Sequence, residues 1–484
     1  MEVRTLIVCA VAIEVVAACG GYGSGGGTGM SGTSSYGGST NPPPTVKFTT
    51  PAQAMNVNLG QAVQLAWTSS QATSCTASAS STTGGKFSGM QSVNGQMSVT
   101  PTATGNVTYT LSCTGMGGTM SATSPMVTVN PSILSQLASV KPTTIGSSVD
   151  PILGDTKPYG LAIAPATAGL LTAGDLVICN FDNNAKPPVQ GAGTTIVGLH
   201  PTPGANPGGK PYRVAQDAKL QGCNALTVLA DDSISAAAFT ANMNPLVSPN
   251  GMVNTPFASD KFASPWGEAY AAANAGKTAA LYVSNVDGSI DRIELNGDTP
   301  TSFTQIATGF CTGGSPGSIF APSGLTYDPS IDTLYIVDTS SNSVVSFANA
   351  SGIGAGGVVV NGNCNSVAHP PTPMPTFSGP SAASATVIAH GSPLFSPISA
   401  ALLSDGDLVV ANNDINIGTG QMPNLAVEIS PVLPGGFVGE PLQLDTSGTP
   451  GAVFGLAATT DAQGHQILYY NDDNTNTVVM LAAQ

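Results

Sequence analysis

Leu334–Val345 (LYIVDTSSNSVV) and Leu468–Val479 (LYYNDDNTNTVV) share one pattern, and this pattern decides the fold. Each stretch begins with apolar residues, passes through a polar turn rich in Asn, Asp, Ser and Thr, and ends in a second apolar run. The first half recurs, with Asn or Asp four residues after a leucine, in Leu176–Asn180, Leu281–Asn285 and Leu408–Asn412. Short strands that repeat at intervals of tens of residues predict a β-propeller.

A second repeated feature precedes these strands: a small residue followed by an apolar one, at the start of another predicted strand. The residues just before the small residue are Tyr159, Asn224, Trp266, Ser323, Ile398 and Phe454. A small side chain lets the innermost strands of neighbouring blades approach one another around the axis. We therefore predict six blades within residues 158–484, separated in places by Pro/Gly-rich inserts.

This pattern resembles the NHL-repeat and related six-bladed β-propellers, over roughly two-thirds of the chain. The resemblance implies the fold. Such propellers include lactonases, lyases, relatives of sugar and quinone dehydrogenases, and plain interaction platforms, so it implies no single function.

The composition favours an exported protein. Only 8% of the 484 residues are charged, while Gly (58) and Pro (37) are abundant, as in a turn-rich all-β chain. The formal net charge of −15 repels phosphate backbones, which argues against nucleic acid as a partner.

The N-terminus has the features of an export signal. Residues 5–18 are one short apolar stretch after Arg4, which fits a signal peptide over residues 1–18 and is too short for a permanent membrane span. Val16-Ala-Ala-Cys19 resembles the lipobox of bacterial lipoproteins, which implies lipidation of Cys19 and a place in the cell envelope, on the outer membrane. The alternative is an ordinary cleaved signal. Residues 19–44 are Gly-, Ser- and Pro-rich and predict a flexible tether.

Residues 45–131 alternate apolar and polar positions in short runs between turn signals, which predicts a β-sandwich of immunoglobulin type. Trp67 precedes both Cys75 and Cys113, and these two cysteines are expected to form a disulfide in an oxidising compartment. Residues 132–157 are expected to be a linker.

Four cysteines remain in the propeller region. The pairs Cys179–Cys223 and Cys311–Cys364 are favoured over the two other connectivities, as staples of long inserts or of adjoining blades. No CxxC motif occurs, which argues against thiol redox chemistry.

The residues that open the first strands are the candidate ligand-binding positions, because they should meet at the channel mouth. Among Tyr159, Asn224, Trp266, Ser323 and Phe454, only Asn224 is a good metal ligand, so no metal or cofactor is predicted. The three aromatic residues either pack as a central plug or offer a platform for a ligand. The recurring Asn and Asp residues at strand ends could ligate a cation, but turn stabilisation explains a residue repeated in every blade better.

No catalytic constellation stands out, and no HExxH motif occurs. We therefore predict an exported, membrane-anchored, monomeric protein whose propeller face binds a protein or glycan outside the cytoplasm. The alternative is a propeller enzyme, such as a lactonase, lyase or sugar dehydrogenase relative, with its site at the channel mouth.

Overall fold

The computed structural model describes residues 41–483, apart from 258, 275, 298, 316, 317, 363–372, 415, 416, 418 and 419. The expected signal peptide and Cys19 lie outside the described residues. The described chain is almost entirely β-structure, arranged as an N-terminal β-domain followed by six blade sheets, of which five have four strands and one has six. None of its described helices is long and apolar enough to cross a bilayer.

The N-terminal β-domain contains ten strands. They are β1 (Thr45–Thr50), β2 (Met55–Asn58), β3 (Val63–Ser70), β4 (Ser74–Ala79), β5 (Gly89–Gln91), β6 (Gly95–Val99), β7 (Gly105–Val107), β8 (Tyr109–Gly115), β9 (Gly118–Thr123) and β10 (Val127–Asn130). They form the sheets β1-β3-β6, β2-β10-β7 and β5-β4-β8-β9.

Alternation of apolar and polar residues gives these sheets one buried face, which packs around Phe87. Trp67 and Tyr109 meet the Phe87 ring edge-on, with ring centroids 5.7 and 5.6 Å away. The predicted disulfide between Cys75 and Cys113 is present, with Cα atoms 4.0 Å apart. It joins directly opposed residues of β4 and β8 within one sheet, whereas the disulfide of antibody domains joins two sheets.

A short helix, α1 (Ile133–Leu137), and β11 (Thr143–Ser147) follow. Blade 1 contains β12 (Thr156–Ile163), β13 (Leu176–Asp182), β14 (Thr195–Leu199) and β15 (Tyr212–Gln216). Blade 2 contains β16 (Cys223–Val228), β17 (Ile234–Ala238), β18 (Leu246–Val247) and β19 (Val253–Asn254). Blade 3 contains β20 (Pro265–Ala271), β21 (Ala279–Asn285), β22 (Ile290–Asn296) and β23 (Thr299–Thr308). A small hairpin, β24 (Gly313–Ser315) and β25 (Ser318–Phe320), precedes blade 4.

Blade 4 contains β26 (Pro322–Asp328), β27 (Thr333–Asp338), β28 (Ser343–Ala348) and β31 (Ala385–His390), while β29 (Val358–Asn361) and β30 (Thr376–Ser378) extend the sheet of blade 3. Blade 5 contains β32 (Pro397–Leu402), β33 (Leu408–Asn412), β34 (Leu425–Ile429) and β35 (Phe437–Gln443), and blade 6 contains β36 (Val453–Thr460), β37 (Gln466–Asp472) and β38 (Thr477–Ala482). Short 3₁₀ turns lie at Pro207–Gly209, Ala218–Leu220, Ser259–Lys261, Ala350–Gly352 and Ala382–Ser384.

The ring closes through β11, which pairs antiparallel with β38 as the outermost strand of blade 6. The expectation that residues 132–157 are only a linker is therefore wrong. Residues from the start of the propeller complete its last sheet, so that blade 6 holds strands from both ends of the ring. Such closure removes the unpaired edges that an open array would expose.

Glycine at the repeated small position explains how tightly the innermost strands pack. A Cβ atom on Gly267 of blade 3 would lie 1.8 Å from the carbonyl oxygen of Ser323 in blade 4. A Cβ on Gly455 of blade 6 would lie 2.7 Å from the carbonyl oxygen of Tyr159 in blade 1. Each glycine therefore permits backbone contact with the next blade around the ring, including across the closure.

The predicted disulfide between Cys179 and Cys223 joins β13 of blade 1 to β16 of blade 2, with Cα atoms 5.7 Å apart. It staples adjoining blades near the axis. Cys364 lies outside the described residues, so its pairing with Cys311 stays a prediction.

Candidate functional site

The first strands of the blades bring their opening residues together at one end of the axis. Tyr159, Trp266 and Phe454 are 5%, 2% and 6% exposed, and they pack with Phe181 of β13. The Tyr159 ring is stacked on Phe454 at 3.6 Å and on Phe181 at 4.4 Å between centroids, and Phe181 meets Trp266 edge-on at 6.2 Å. We call these four residues the aromatic plug.

The aromatic plug closes this end of the axis. Ile398 and Ala321 fill its margin, and Phe239 packs against it from blade 2. Each aromatic ring buries a large apolar area, and stacked or edge-on pairs add roughly 0.5–1.5 kcal/mol beyond that burial. Of the two roles open to these aromatic residues, the geometry matches packing in a plug; no ring face is left exposed as a platform.

Beneath the plug the innermost strands line a cavity of about 80 Å³. Its wall consists of the repeated glycines and the residues beside them, such as Gly160, Gly267 and Gly455. Sites for organic ligands are typically about 300–1,000 Å³, whereas a water needs roughly 10–15 Å³ of such volume. The cavity therefore suits a few waters or a small ion.

Two polar side chains line this cavity. Asn224 donates from Nδ2 to the Trp266 carbonyl oxygen at 2.6 Å, and Glu268 accepts a hydrogen bond from the Ser235 hydroxyl at 3.2 Å. Within the described part of the chain, Asn224 Oδ1 and Glu268 Oε2 are buried without a hydrogen-bond partner. Burial raises the pKa of Glu268 to about 8, so this carboxyl group is largely protonated at neutral pH.

Glu268 is the residue that the sequence prediction missed. It occupies the position two residues after Trp266, where Leu161, Leu325 and Leu456 stand in other blades. A lone carboxylate in an otherwise apolar aligned column was the available signal. Its uncharged form and the amide of Asn224 are the described groups that a water or a cation on the axis would meet.

Ser323 is fully buried and serves the structure. Its hydroxyl donates to the Ala321 carbonyl oxygen at 3.1 Å and is hydrogen-bonded to the Thr339 hydroxyl. The structure thus brings all five candidate residues to one end of the axis, and Asn224 is the one among them with an acceptor atom left open toward the cavity. Ligand binding by this group stays a prediction.

The recurring Asn and Asp residues brace loops. Asn285 Oδ1 accepts the backbone N–H of Ala263 at 3.2 Å, and Asn412 Oδ1 accepts that of Phe395 at 3.0 Å. Asp338 Oδ1 accepts the N–H of Ser340 at 3.0 Å. These contacts match the turn-stabilising role for Asn285, Asp338 and Asn412.

Outside the plug, two loops of blade 1 form an exposed apolar patch on the same end of the propeller. Thr156 pairs with Asp182, which places the loop before β12 and the loop after β13 side by side. The two loops are joined where Asn184 Nδ2 donates to the Leu153 carbonyl oxygen. Ile152 (71% exposed), Leu153 (41%) and Val189 (52%) project from them. We call these three residues the plug-face patch.

No protein-family model and no curated protein matches this chain. Solved structures with a similar arrangement include a catalytically inactive virginiamycin B lyase from Staphylococcus aureus with quinupristin (12% identity, 71% of this chain and 99% of that one, TM-score 0.40). A streptogramin B lyase (12%, 70% and 96%, 0.38) and a gluconolactonase from Xanthomonas campestris (15%, 70% and 91%, 0.44) are also similar. At these identities and TM-scores, no activity follows for this chain.

Proposed function

We propose that this chain is an exported, membrane-anchored binding protein whose propeller recognises a protein ligand through the plug-face patch. The observation that carries the proposal is the aromatic plug, which fills the end of the axis where the innermost strands begin. The cavity left beneath it is about 80 Å³, well below the size of an organic substrate site.

Recognition on this account lies on the loops of the plug face. Ile152, Leu153 and Val189 are large aliphatic residues on two neighbouring loops, and their side chains are 41 to 71% exposed. Exposed apolar residues on adjoining loops are a common feature of protein interaction sites. Sugars bind preferentially against exposed aromatic rings, and the rings at this end are buried, so the protein ligand is favoured over the glycan.

The N-terminal sequence supports the proposed place of action. A signal sequence, the lipobox-like Cys19 and the tether to residue 44 would hold the folded domains outside the cytoplasm at a membrane. The disulfides Cys75–Cys113 and Cys179–Cys223 fit an oxidising compartment.

A second candidate is an enzyme with its site on the axis, and Glu268 is the observation that favours it. A buried carboxyl group with a raised pKa and an open Oε2 is a common feature of catalytic sites. On this reading Glu268 would exchange a proton with a small substrate. A screen of lactones with the purified full-length chain and its Glu268→Gln variant separates the two: turnover that Glu268→Gln abolishes would favour the enzyme.

The binding proposal is tested with the full-length chain immobilised in detergent and exposed to cell-envelope proteins of its own host. We expect a retained protein that is lost with Ile152→Asp or Val189→Asp. Ile331→Asp is the matched control, because Ile331 is similarly exposed (58%) but lies in the turn between β26 and β27, at the opposite end of the ring. Equal retention by all variants would refute the proposal. Binding of the chain to a glycan on a glycan array, without a retained protein, would show that the ligand is a glycan.

A further inference from the structure

Three carboxylates meet where the N-terminal β-domain touches blade 5. Asp405 and Asp407 lie in the turn between β32 and β33, and Glu428 lies on β34. Each offers one oxygen atom, and these oxygens all lie within 4.8 Å of one another. The β-domain covers them through Asn58 and Gln61, which donate to the Asp405 carboxylate at 3.0 Å and to its carbonyl oxygen at 3.1 Å.

The cluster is buried and has no compensating cation within the described part of the chain. Asp407 is 3% exposed and Glu428 is fully buried. No Lys, Arg or His among the described residues forms an ion pair with any of the three. Placing like charges together away from water is unfavourable unless they are neutralised by protons or by a metal ion.

Two of the three carboxylates already have hydrogen-bond donors. Glu428 accepts the backbone N–H groups of Ile133 at 3.1 Å and Leu134 at 2.6 Å, and Asp405 accepts the backbone N–H of Asp407 at 3.2 Å besides the Asn58 amide. These donors fix the orientation of both groups.

Asp407 differs, because its Oδ2 atom is buried without a hydrogen-bond partner among the described residues. The atom points toward the β-domain: a Cβ atom on Gly60 would lie 3.0 Å from it. The neighbouring Ser430 hydroxyl donates to the Gly60 carbonyl oxygen at 3.1 Å. A buried carboxylate oxygen without a hydrogen-bond partner, on a residue clustered with two other carboxylates, has the environment of a metal ligand.

We propose that Asp405, Asp407 and Glu428 bind a calcium ion that fastens the N-terminal β-domain to blade 5. The donor atoms are all oxygen, the ligand type that Ca²⁺ prefers. At Ca–O distances of about 2.3–2.6 Å, two ligand oxygens lie at most about 5 Å apart, which accommodates the observed spacing.

The site has a mechanical consequence. Its ligands belong to blade 5, but the residues that orient and cover them belong to the β-domain and to α1. Removal of the ion leaves carboxylate repulsion at this contact and loosens it. Calcium outside a cell, at the level that exported modules commonly use, would therefore set how firmly the two parts are joined.

The test measures Ca²⁺ binding to the full-length chain, purified in detergent and stripped with EDTA, by isothermal titration calorimetry. We expect one ion per chain and an affinity that falls about tenfold or more in Asp407→Asn. Glu440→Gln is the matched control, because Glu440 is an exposed carboxylate on β35 of the same blade. Asp405→Asn, at the partly exposed edge of the cluster, serves as a second variant if Asp407→Asn fails to fold.

Hydrogen exchange of the backbone amides of residues 55–62 measures how firmly the N-terminal β-domain is held against blade 5. We expect Ca²⁺ to slow exchange there in the unmodified chain and in Glu440→Gln, with no effect in Asp407→Asn. The proposal is overturned if the stripped chain takes up no Ca²⁺, if Asp407→Asn and Glu440→Gln bind it equally, or if exchange of residues 55–62 does not respond.

Discussion

Substitution of Gly267 by alanine tests the contact between neighbouring innermost strands. The new Cβ atom would lie 1.8 Å from the Ser323 carbonyl oxygen and 2.9 Å from the Ser284 hydroxyl oxygen. The first clash involves backbone, which no side-chain rotation relieves. The Ser284 hydroxyl links the two blades, since it accepts the Gly267 N–H and donates to the Ser323 carbonyl oxygen, both at 2.8 Å.

The expected cost follows from these contacts. Overpacking costs about 1–3 kcal/mol, and loss of the bridging hydrogen bonds adds about 1 kcal/mol. The reduced entropy of the unfolded alanine chain offsets about 0.4–1 kcal/mol. We expect a net loss of roughly 2–3 kcal/mol in the free energy of unfolding, which lowers the Tm of a propeller of this size by about 3–4 °C.

Urea denaturation followed by Trp266 fluorescence, in a Trp67→Phe background, measures this loss for the propeller alone. Gly354→Ala is the control, because a Cβ on Gly354 meets no atom within 4 Å. The reasoning is refuted if Gly267→Ala and Gly354→Ala unfold at the same urea concentration.

Three further outcomes are expected. Burial raises the pKa of Glu268 to about 8, so the folded state holds a proton that the unfolded state releases near pH 4.5, and the free energy of unfolding falls as the pH rises between these values. Glu268→Gln should reduce this fall in denaturation curves measured from pH 5 to 8. An unchanged dependence on pH would contradict the prediction. Cys223→Ser should lower the free energy of unfolding by about 2–4 kcal/mol, because it removes the cross-link that closes a loop of 44 residues. Urea denaturation followed by Trp266 fluorescence measures the loss, and an unchanged midpoint would contradict it. Cys19→Ala should move the protein from the detergent phase to the aqueous phase, and unchanged partitioning would rule out the lipid anchor.

The blade architecture was predictable because each blade repeats one physical requirement. The second strand of a blade, which ends in Asn285, Asp338 or Asp472, must be apolar on both faces. The first strand must carry a small residue where it contacts the first strand of the next blade. Both requirements leave a local pattern, and the six-bladed all-β fold is confirmed.

The ring closure was not predictable from local pattern. β11 reads TTIGS and contains a single large apolar residue, Ile145, so nothing in its sequence marks it as a strand of a blade. It becomes one by pairing with β38, more than 300 residues away along the chain. Pairing partners at such separation are set by tertiary structure.

The two buried carboxylate sites escaped prediction for a similar reason. Asp407 occupies a turn, where an acidic residue is ordinary, and Glu268 is marked only as the lone carboxylate in an otherwise apolar aligned column. Their burial depends on the closure of the ring and on the docking of the N-terminal β-domain. The aromatic residues of the plug were predictable in kind, but their mutual stacking required the assembled axis.

Acrylamide quenching of Trp266 in the Trp67→Phe chain tests most directly whether the axis is closed. The binding proposal depends on that closure, because an open channel mouth would again make the axis a candidate substrate site. With Trp266 2% exposed within the plug, we predict quenching several-fold weaker than for free tryptophan. Quenching close to that of the free amino acid in the folded chain would contradict the account.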